Sequence, residues 1–168
     1  MMLEIALEAD AEWDSSRSWV ELARDAAEAA IAESAFPRLT QSARPVELSV
    51  RLADDDEVRA LNAKWRGKDK ATNVLSFPLA HPDDFSVATI PGQELLLGDI
   101  ILARGICETE ASEKGVSVQE HATHLLVHGT LHLLGYDHQD DAAAAEMESR
   151  EVRALARLGI SDPYAVND

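Results

Sequence analysis

Short runs with a period of two mark the strands of this chain. Residues 2–8 and 46–52 alternate apolar with polar positions, which predicts two strands that each bury one face. Residues 72–77 are rich in strand formers and stop at a proline, which predicts a third strand. Residues 95–102 are almost continuously apolar, as in a central strand covered on both faces. We therefore expect about four strands, the last of them in the interior of the sheet.

Segments with helical periodicity accompany these strands. Ser18 and Glu21 form a capping box at the start of a helix that ends before Pro37. An acidic run at 54–56 caps a second, shorter helix, and Gly67 is placed to end it in a left-handed conformation. Three more helices are expected after the fourth strand: one over residues 103–114, one from Ser117 through the histidines, and one from Asp140 or Asp141 to Gly159.

The order of these elements predicts one mixed domain. At 168 residues and 46% hydrophobic content the chain is long enough for one core, whereas two domains would each be undersized. We expect a single α/β (α+β) domain over residues 1–168, in which a small mixed sheet of about four strands packs with about five helices. Residues 80–93 contain two prolines and show no periodicity, so they are predicted to form a loop.

Composition argues against several classes of protein. The formal net charge of −16 argues against non-specific binding to nucleic acid or to an anionic membrane. No window approaches the roughly 18 apolar residues of a membrane span. The single cysteine, Cys107, has no intrachain disulfide partner, and the N-terminus carries acids where a signal peptide carries basic residues. We expect a cytoplasmic protein with no membrane or DNA partner.

The basic residues are unevenly distributed. Lys64, Arg66, Lys68 and Lys70 lie within seven positions, although the chain has only 15 lysines and arginines in all. This basic cluster falls at the predicted end of the second helix, where cations also interact favourably with the helix dipole. The cluster is therefore read equally well as a binding site for an anion and as a solvated helix end.

Histidines dominate one predicted helix. His121, His124, His128 and His132 fall within about 80° of one another on a helical projection, and leucines and valines fill the other faces. Such a helix is expected to be buried in the domain. A single histidine there would be read as a hydrogen-bonded core residue, whereas a stripe of four favours a set of metal ligands.

The spacing of three histidines predicts a metal site. His128, His132 and His138 follow the pattern H-x-x-x-H-x-x-G-x-x-H, in which Gly135 allows a sharp turn and brings the third histidine back to the first two. Neutral imidazoles in this arrangement are zinc ligands, and three protein ligands leave a fourth position open, as in catalytic sites. Cys107 alone cannot supply the closed four-ligand set of a structural zinc site.

The same spacing occurs in the metzincin proteases, with one difference. Their pattern H-E-x-x-H-x-x-G-x-x-H places a glutamate, the general base, where this chain has Gly129. The metal ligands are thus retained without the base that a peptidase requires. This substitution argues against peptide hydrolysis.

Several longer motifs resemble one bacterial family. VHGTLHLLGYDH at 127–138 and LNAKWRGKDKATNVLSFP at 61–78 resemble the signatures of the YbeY endoribonucleases, and LLLGDIIL at 95–102 and DPY at 162–164 extend the match. The resemblance covers about residues 46–164, whereas the N-terminal third is similar in pattern more than in residues.

The resemblance implies a fold, an activity and site residues. It implies a small mixed sheet with helices, and a zinc-dependent single-strand endoribonuclease for ribosomal RNA maturation at the small-subunit 3′ end and for ribosome quality control. It implies one zinc ion on His128, His132 and His138, and a catalytic role for Arg66. Implied partners are ribosomal RNA, the ribosomal particle, and ribosomal-protein or GTPase partners. Two alternatives stay open: a zinc metallopeptidase-like hydrolase, and a non-catalytic ribosome-associated assembly factor with a structural metal.

Other polar residues in these motifs have two readings each. Asp137 orients a ligand histidine or caps the turn, and His121 and His124 support the ligands or are packed core histidines. Met147 lies under the metal or in the core, and the core is the commoner place for a methionine on an apolar helix face. Local turn or strand-end roles are expected for three further residues, Asn73, Ser76 and Asp99.

Overall fold

Four strands form one mixed sheet in this protein. The computed structural model describes residues 3–13, 18–42, 44–85 and 94–165. Within these ranges the strands are β1 (Leu3–Ala9), β2 (Val46–Ala53), β3 (Val74–Pro78) and β4 (Leu95–Ala103). They pair in the order β1-β2-β4-β3, in which β1, β2 and β4 are parallel and β3 is antiparallel to β4. The predicted interior position of the fourth strand is thereby confirmed.

Six α-helices accompany the sheet in the described part of the chain. They are α1 (Trp19–Ala32), α2 (Asp55–Arg66), α3 (Pro82–Phe85), α4 (Arg104–Lys114), α5 (Val118–Leu133) and α6 (Asp141–Arg157), and a short 3₁₀ turn covers Pro37–Gln41. Helix α3 lies in the segment that was predicted as a loop; residues 86–93 of that segment lie outside the described residues. None of these helices combines the length and the apolar character that a membrane span needs.

The helix boundaries follow the predicted capping residues. The Ser18 hydroxyl accepts a hydrogen bond from the Glu21 amide at 3.3 Å, and the Ser117 hydroxyl accepts one from the Glu120 amide at 3.0 Å. Gly67 ends α2 at φ 68°, in the left-handed region where a side chain would be strained. Local sequence therefore determines where these helices begin and end.

The two faces of the sheet are covered differently. Helices α1 and α5 pack on one face, and α6 lies against both of them. Ile100 of β4 points towards α5, so the adjacent Ile101 points to the opposite face, where it clusters with Val58 of α2. The first face carries the large core, and the second carries a small one. The histidine helix α5 is thus held between the sheet and α6.

Candidate metal centre

Three histidine rings converge at the C-terminal end of α5. His128 and His132 lie one helical turn apart, and His138 returns to them from the following turn. The ring centroids are 4.7 Å apart for His128 and His132, 4.9 Å for His128 and His138, and 4.8 Å for His132 and His138. One ring nitrogen of each residue lies within 4.8 Å of the other two. This group has the donor atoms and the spacing to hold a metal ion.

The turn after α5 brings the third histidine back. Gly135 has φ 103°, a conformation that side chains rarely adopt, and its amide donates to the His132 carbonyl at 3.0 Å. The Asp137 carboxylate then accepts a hydrogen bond from the backbone amide of His138 at 2.6 Å. Asp137 therefore fixes the backbone of the turn, the second of the two roles considered for it.

Glu151 of α6 fixes the orientation of His128. Its carboxylate is fully buried and accepts a short hydrogen bond from the Nδ1–H of His128. An ionised carboxylate can only accept, so this contact assigns the proton to Nδ1 and leaves Nε2 as the free donor atom for a metal. Glu151 was not among the site residues predicted from the sequence.

The same carboxylate binds two further groups. His124 Nε2 lies 3.1 Å from Glu151 Oε2, and the hydroxyl of Tyr164 donates to the same oxygen. Burial raises the pKa of Glu151, but the hydrogen bonds from His124 and His128 outweigh it and hold the pKa at about 2. Burial and this carboxylate raise the pKa of Tyr164 above its usual range. The DPY motif thus contributes a tyrosine to the layer behind the metal ligands.

His121 at the start of the stripe belongs to a different group. Its Nε2 lies 2.8 Å from Glu110 of α4, and the side-chain amide of Asn73 donates to the same carboxylate oxygen at 3.0 Å. Burial lowers the pKa of His121. His121 and Asn73 therefore join α5 to α4 and to the start of β3, as the packed-core reading predicts. Met147 is likewise buried in the core.

Electrostatics keep His132 in the form that binds metals. Burial lowers its pKa to about 4, and the neighbouring His128 and His138 act in the same direction. The ring is therefore neutral at neutral pH, with a nitrogen lone pair available. The neutral imidazole of His132 lies beside the imidazole of His128, which Glu151 orients. Such a pair suits a borderline-soft divalent cation such as zinc.

Gly129 lies against the sheet where metzincins carry their glutamate. A Cβ atom built on Gly129 would lie 3.0 Å from Cδ1 and 3.1 Å from Cγ2 of Ile100. Even one methyl group there would press on the Ile100 side chain, which would have to give by a few tenths of an ångström. The close packing of α5 on β4 therefore favours glycine at this position.

Arg66 lies at the end of α2 and contacts β3. Its Nη2 donates to the Ser76 carbonyl at 2.8 Å, and its guanidinium lies 5.4 Å from the centroid of Phe77. Within the described ranges these contacts do not join Arg66 to the three histidines. An indirect link between Arg66 and the histidine helix runs through Gly98 of β4, which lies close to both β3 and α5. A Cβ atom added to Gly98 would lie 2.3 Å from the Phe77 carbonyl oxygen and 2.8 Å from Leu133 of α5. Strand β3 thus connects the two regions.

The helical periodicity of α6 alone could have indicated that Glu151 is a buried acid. Within α6 the buried positions are Met147, Glu151, Ala154 and Leu155, so an acid occupies the apolar stripe of an otherwise amphipathic helix. A charge at such a position requires a partner, because an unpaired buried carboxylate is costly. The identity of its partners came only from the structure.

Known proteins resemble this chain over nearly its whole length. The family model described as Endoribonuclease YbeY matches residues 8–159. A protein named Endoribonuclease YbeY from Rhizorhabdus wittichii is 52% identical over 168 residues, with 99% of each chain covered. Another of that name from Sphingopyxis alaskensis is 53% identical, with 99% of this chain and 100% of the relative covered.

A solved structure has the same fold. The solution structure of a protein from Thermotoga maritima superimposes with a TM-score of 0.53 at 22% identity, and the match covers 97% of this chain and 100% of that protein. At this identity the likeness concerns the fold alone. The family model and the close relatives carry the assignment further: the chain belongs to the Endoribonuclease YbeY family.

Proposed function

We propose that this protein is a zinc-dependent endoribonuclease whose metal ligands are His128, His132 and His138. The observation that carries the proposal is the convergence of three imidazole nitrogens within 4.8 Å of one another. The names of the relatives supply the reaction, because each is an endoribonuclease. The proposed substrate is single-stranded RNA. The protein would act in the cytoplasm in the maturation of ribosomal RNA, including the 3′ end of the small-subunit RNA, and in ribosome quality control.

The surrounding residues prepare the three histidines for this role. Glu151 holds the Nδ1 proton of His128, so the ring cannot turn its protonated nitrogen towards the metal. Burial keeps His132 neutral, and Gly135 lets the chain turn so that His138 reaches the same point. When bound, the ion supplies a Lewis acid that polarises a phosphoryl oxygen and acidifies water near neutral pH.

Arg66 is proposed as the group that stabilises charge on the phosphate. Its contact with the Ser76 carbonyl uses one of five N–H donors and holds the exposed side chain along β3. The remaining planar donors match the oxygens of a phosphate better than a point charge does. Lys64, Lys68 and Lys70 are also exposed and would hold neighbouring phosphates. This arrangement favours the anion-binding reading of the basic cluster.

A peptidase function has less support than RNA cleavage. The chain has Gly129 where such a peptidase carries its glutamate base, and the close contact with Ile100 disfavours a side chain there. The other alternative, an assembly factor on the ribosomal particle that uses the metal only for stability, makes a different experimental forecast. Ribosomal RNA, ribosomal proteins and a GTPase remain the proposed partners in either case.

The decisive experiment combines metal analysis with RNA cleavage by matched variants. Wild-type protein is expected to contain about one zinc per chain and to cut single-stranded RNA. Arg66→Ala should keep the zinc and lose cleavage about 10²- to 10³-fold, the usual effect of removing one transition-state donor. Arg59→Ala is the control, because Arg59 is an exposed arginine of the same helix that pairs with Asp69. Equal cleavage by wild type and Arg66→Ala would refute the catalytic role and indicate a contaminating nuclease.

A further inference from the structure

An open groove lies on the second face of the sheet, beside the basic cluster. It encloses about 770 Å³, within the range of roughly 300–1,000 Å³ found for small-molecule sites. Leu61 and Trp65 of α2 form one wall, and Phe77 and Leu79 at the end of β3 form another. The sheet supplies a floor that includes Ser49 and Asp99. The walls are thus apolar, and the floor combines apolar side chains such as Val50 and Ile101 with the polar groups of Ser49 and Asp99.

Trp65 is unusually exposed for its size. Its exposed fraction is 63%, whereas Trp13 and Trp19 are 4% and 6% exposed in the core. The ammonium of Lys64 lies 5.0 Å from the Trp65 ring centroid, and Arg66 follows directly in sequence. The Arg66 guanidinium lies against Phe77 on the other wall of the groove, so each of these two aromatic side chains has a cation beside it. This position therefore points to a ligand that combines a flat apolar surface with negative charge.

We propose that the groove binds an unpaired nucleotide of the RNA, whose base stacks on Trp65 while its phosphates lie on the basic cluster. Charge complementarity selects this occupant, since Lys64 lies beside Trp65 and Arg66 beside Phe77, and Lys68 and Lys70 follow them in sequence, in a chain that is otherwise strongly acidic. Aromatic platforms flanked by cations are how proteins bind single strands without reading a sequence. The proposal rests on the proposed ribonuclease function and adds a base-binding subsite to it.

The polar floor and the position of the groove fit the same occupant. The Asp99 carboxylate and the Ser49 hydroxyl offer acceptors for the exocyclic amine that adenine and cytosine carry. Leu79 lines the groove, and its amide donates a hydrogen bond to the Leu97 carbonyl at 3.0 Å. The next residue of β4, Gly98, lies close to Leu133 of α5. A strand that leaves the groove past Leu79 therefore runs towards the helix that carries the three histidines.

Tryptophan fluorescence tests the proposal directly, because only one of the three tryptophans is exposed. The probe is a 2′-O-methyl hexa-adenylate, titrated into full-length zinc-loaded protein and checked for integrity by electrophoresis. An oligomer of equal length without bases serves as the phosphate-only control. We expect saturable quenching by the hexa-adenylate and weaker binding of the abasic oligomer, by roughly fivefold to 150-fold, which corresponds to about 1–3 kcal/mol for a stacked base.

Matched variants locate the effect. These variants lack the reporter indole, so their affinities are measured by isothermal titration calorimetry beside wild type. Trp65→Ala should bind the hexa-adenylate as weakly as the abasic oligomer, and Trp65→Phe should restore most of the affinity, since a phenyl ring also stacks. Leu96→Ala removes an apolar side chain that is 45% exposed and does not line the groove, so it should bind like wild type.

Two results would overturn the base-binding proposal. Equal affinity for the hexa-adenylate and the abasic oligomer would show that only phosphates are held, and would leave the groove as a docking surface for a protein. Unchanged binding by Trp65→Ala would have the same consequence. Cleavage of RNA without quenching would remove the subsite and keep the ribonuclease function, whereas quenching without cleavage would keep the subsite and remove the assigned reaction.

Discussion

The two halves of the histidine stripe on α5 share a residue type and a helix face, but they differ in surroundings. At the N-terminal half, His121 bonds to Glu110 and only 2% of its side chain is exposed. At the C-terminal half, His128 bonds to Glu151 and 18% of its side chain is exposed. Each half therefore has a carboxylate, but among the residues that the structure describes only the second half brings three imidazoles close enough to share a metal ion. Convergence, rather than periodicity, distinguishes the candidate ligands from the packing residues.

Removal of one histidine from each half is expected to give the largest difference in zinc content between the two halves. His132→Ala should reduce the zinc content from about one per chain to near zero and abolish RNA cleavage, because two imidazoles alone rarely retain the ion. His121→Ala should keep both zinc and cleavage, with a lower melting temperature because the buried hydrogen bond between His121 and Glu110 is lost. Metal analysis and thermal unfolding of the two purified variants provide the measurement. Equal zinc content in the two variants would contradict the division of the stripe.

Substitution of the two carboxylates, Glu151 and Glu110, is expected to have a smaller effect on zinc binding than removal of a histidine. Glu151→Gln retains one acceptor where the native side chain serves three donors, so zinc affinity should fall about 10- to 100-fold. A chelator competition titration measures this change. Glu110→Gln is the matched control, since Glu110 bonds to a histidine outside the metal cluster. A comparable loss of zinc affinity in Glu110→Gln would show that the carboxylates act only through overall stability.

The pH dependence of stability is the smallest expected effect. In the folded, metal-free protein the pKa of His132 is lowered from 6.5 to about 4, so between these values the unfolded state binds more protons than the folded state. Stability from this group is complete above pH 6.5 and is lost as the pH falls towards 4. The melting temperature of the chelator-treated protein should therefore fall in this window, and less steeply in His132→Gln. Identical slopes in the two proteins would exclude this contribution.

Sequence patterns predicted the features that depend on neighbouring residues. The capping residues Ser18 and Ser117, the left-handed Gly67 and the turn at Gly135 all act within a few positions of the chain. The family motifs and the histidine spacing predicted the cluster of three histidines for the same reason, since its members lie within eleven residues.

Features that depend on tertiary contacts were not predicted. Glu151 reaches His128 from another helix, 23 positions along the chain, and nothing local indicates which histidine it meets. The exposure of Trp65 depends on how much of the sheet α2 covers. The close approach of Gly129 to Ile100 likewise depends on the distance between α5 and β4. Periodicity assigns a residue to a face, but it does not say what lies opposite.

The contact between Gly129 and Ile100 also restricts how this scaffold can change over evolutionary time. A single substitution of Gly129 by glutamate would complete the sequence pattern of a metzincin helix, yet the added side chain would first meet a buried strand. Conversion to a peptidase would need a shift of the Ile100 side chain or its replacement by a smaller residue, and such a replacement would leave a cavity beside α5. The intermediate proteins would be less stable before any new activity could be selected, so the two chemistries are separated by packing although their motifs differ at one position.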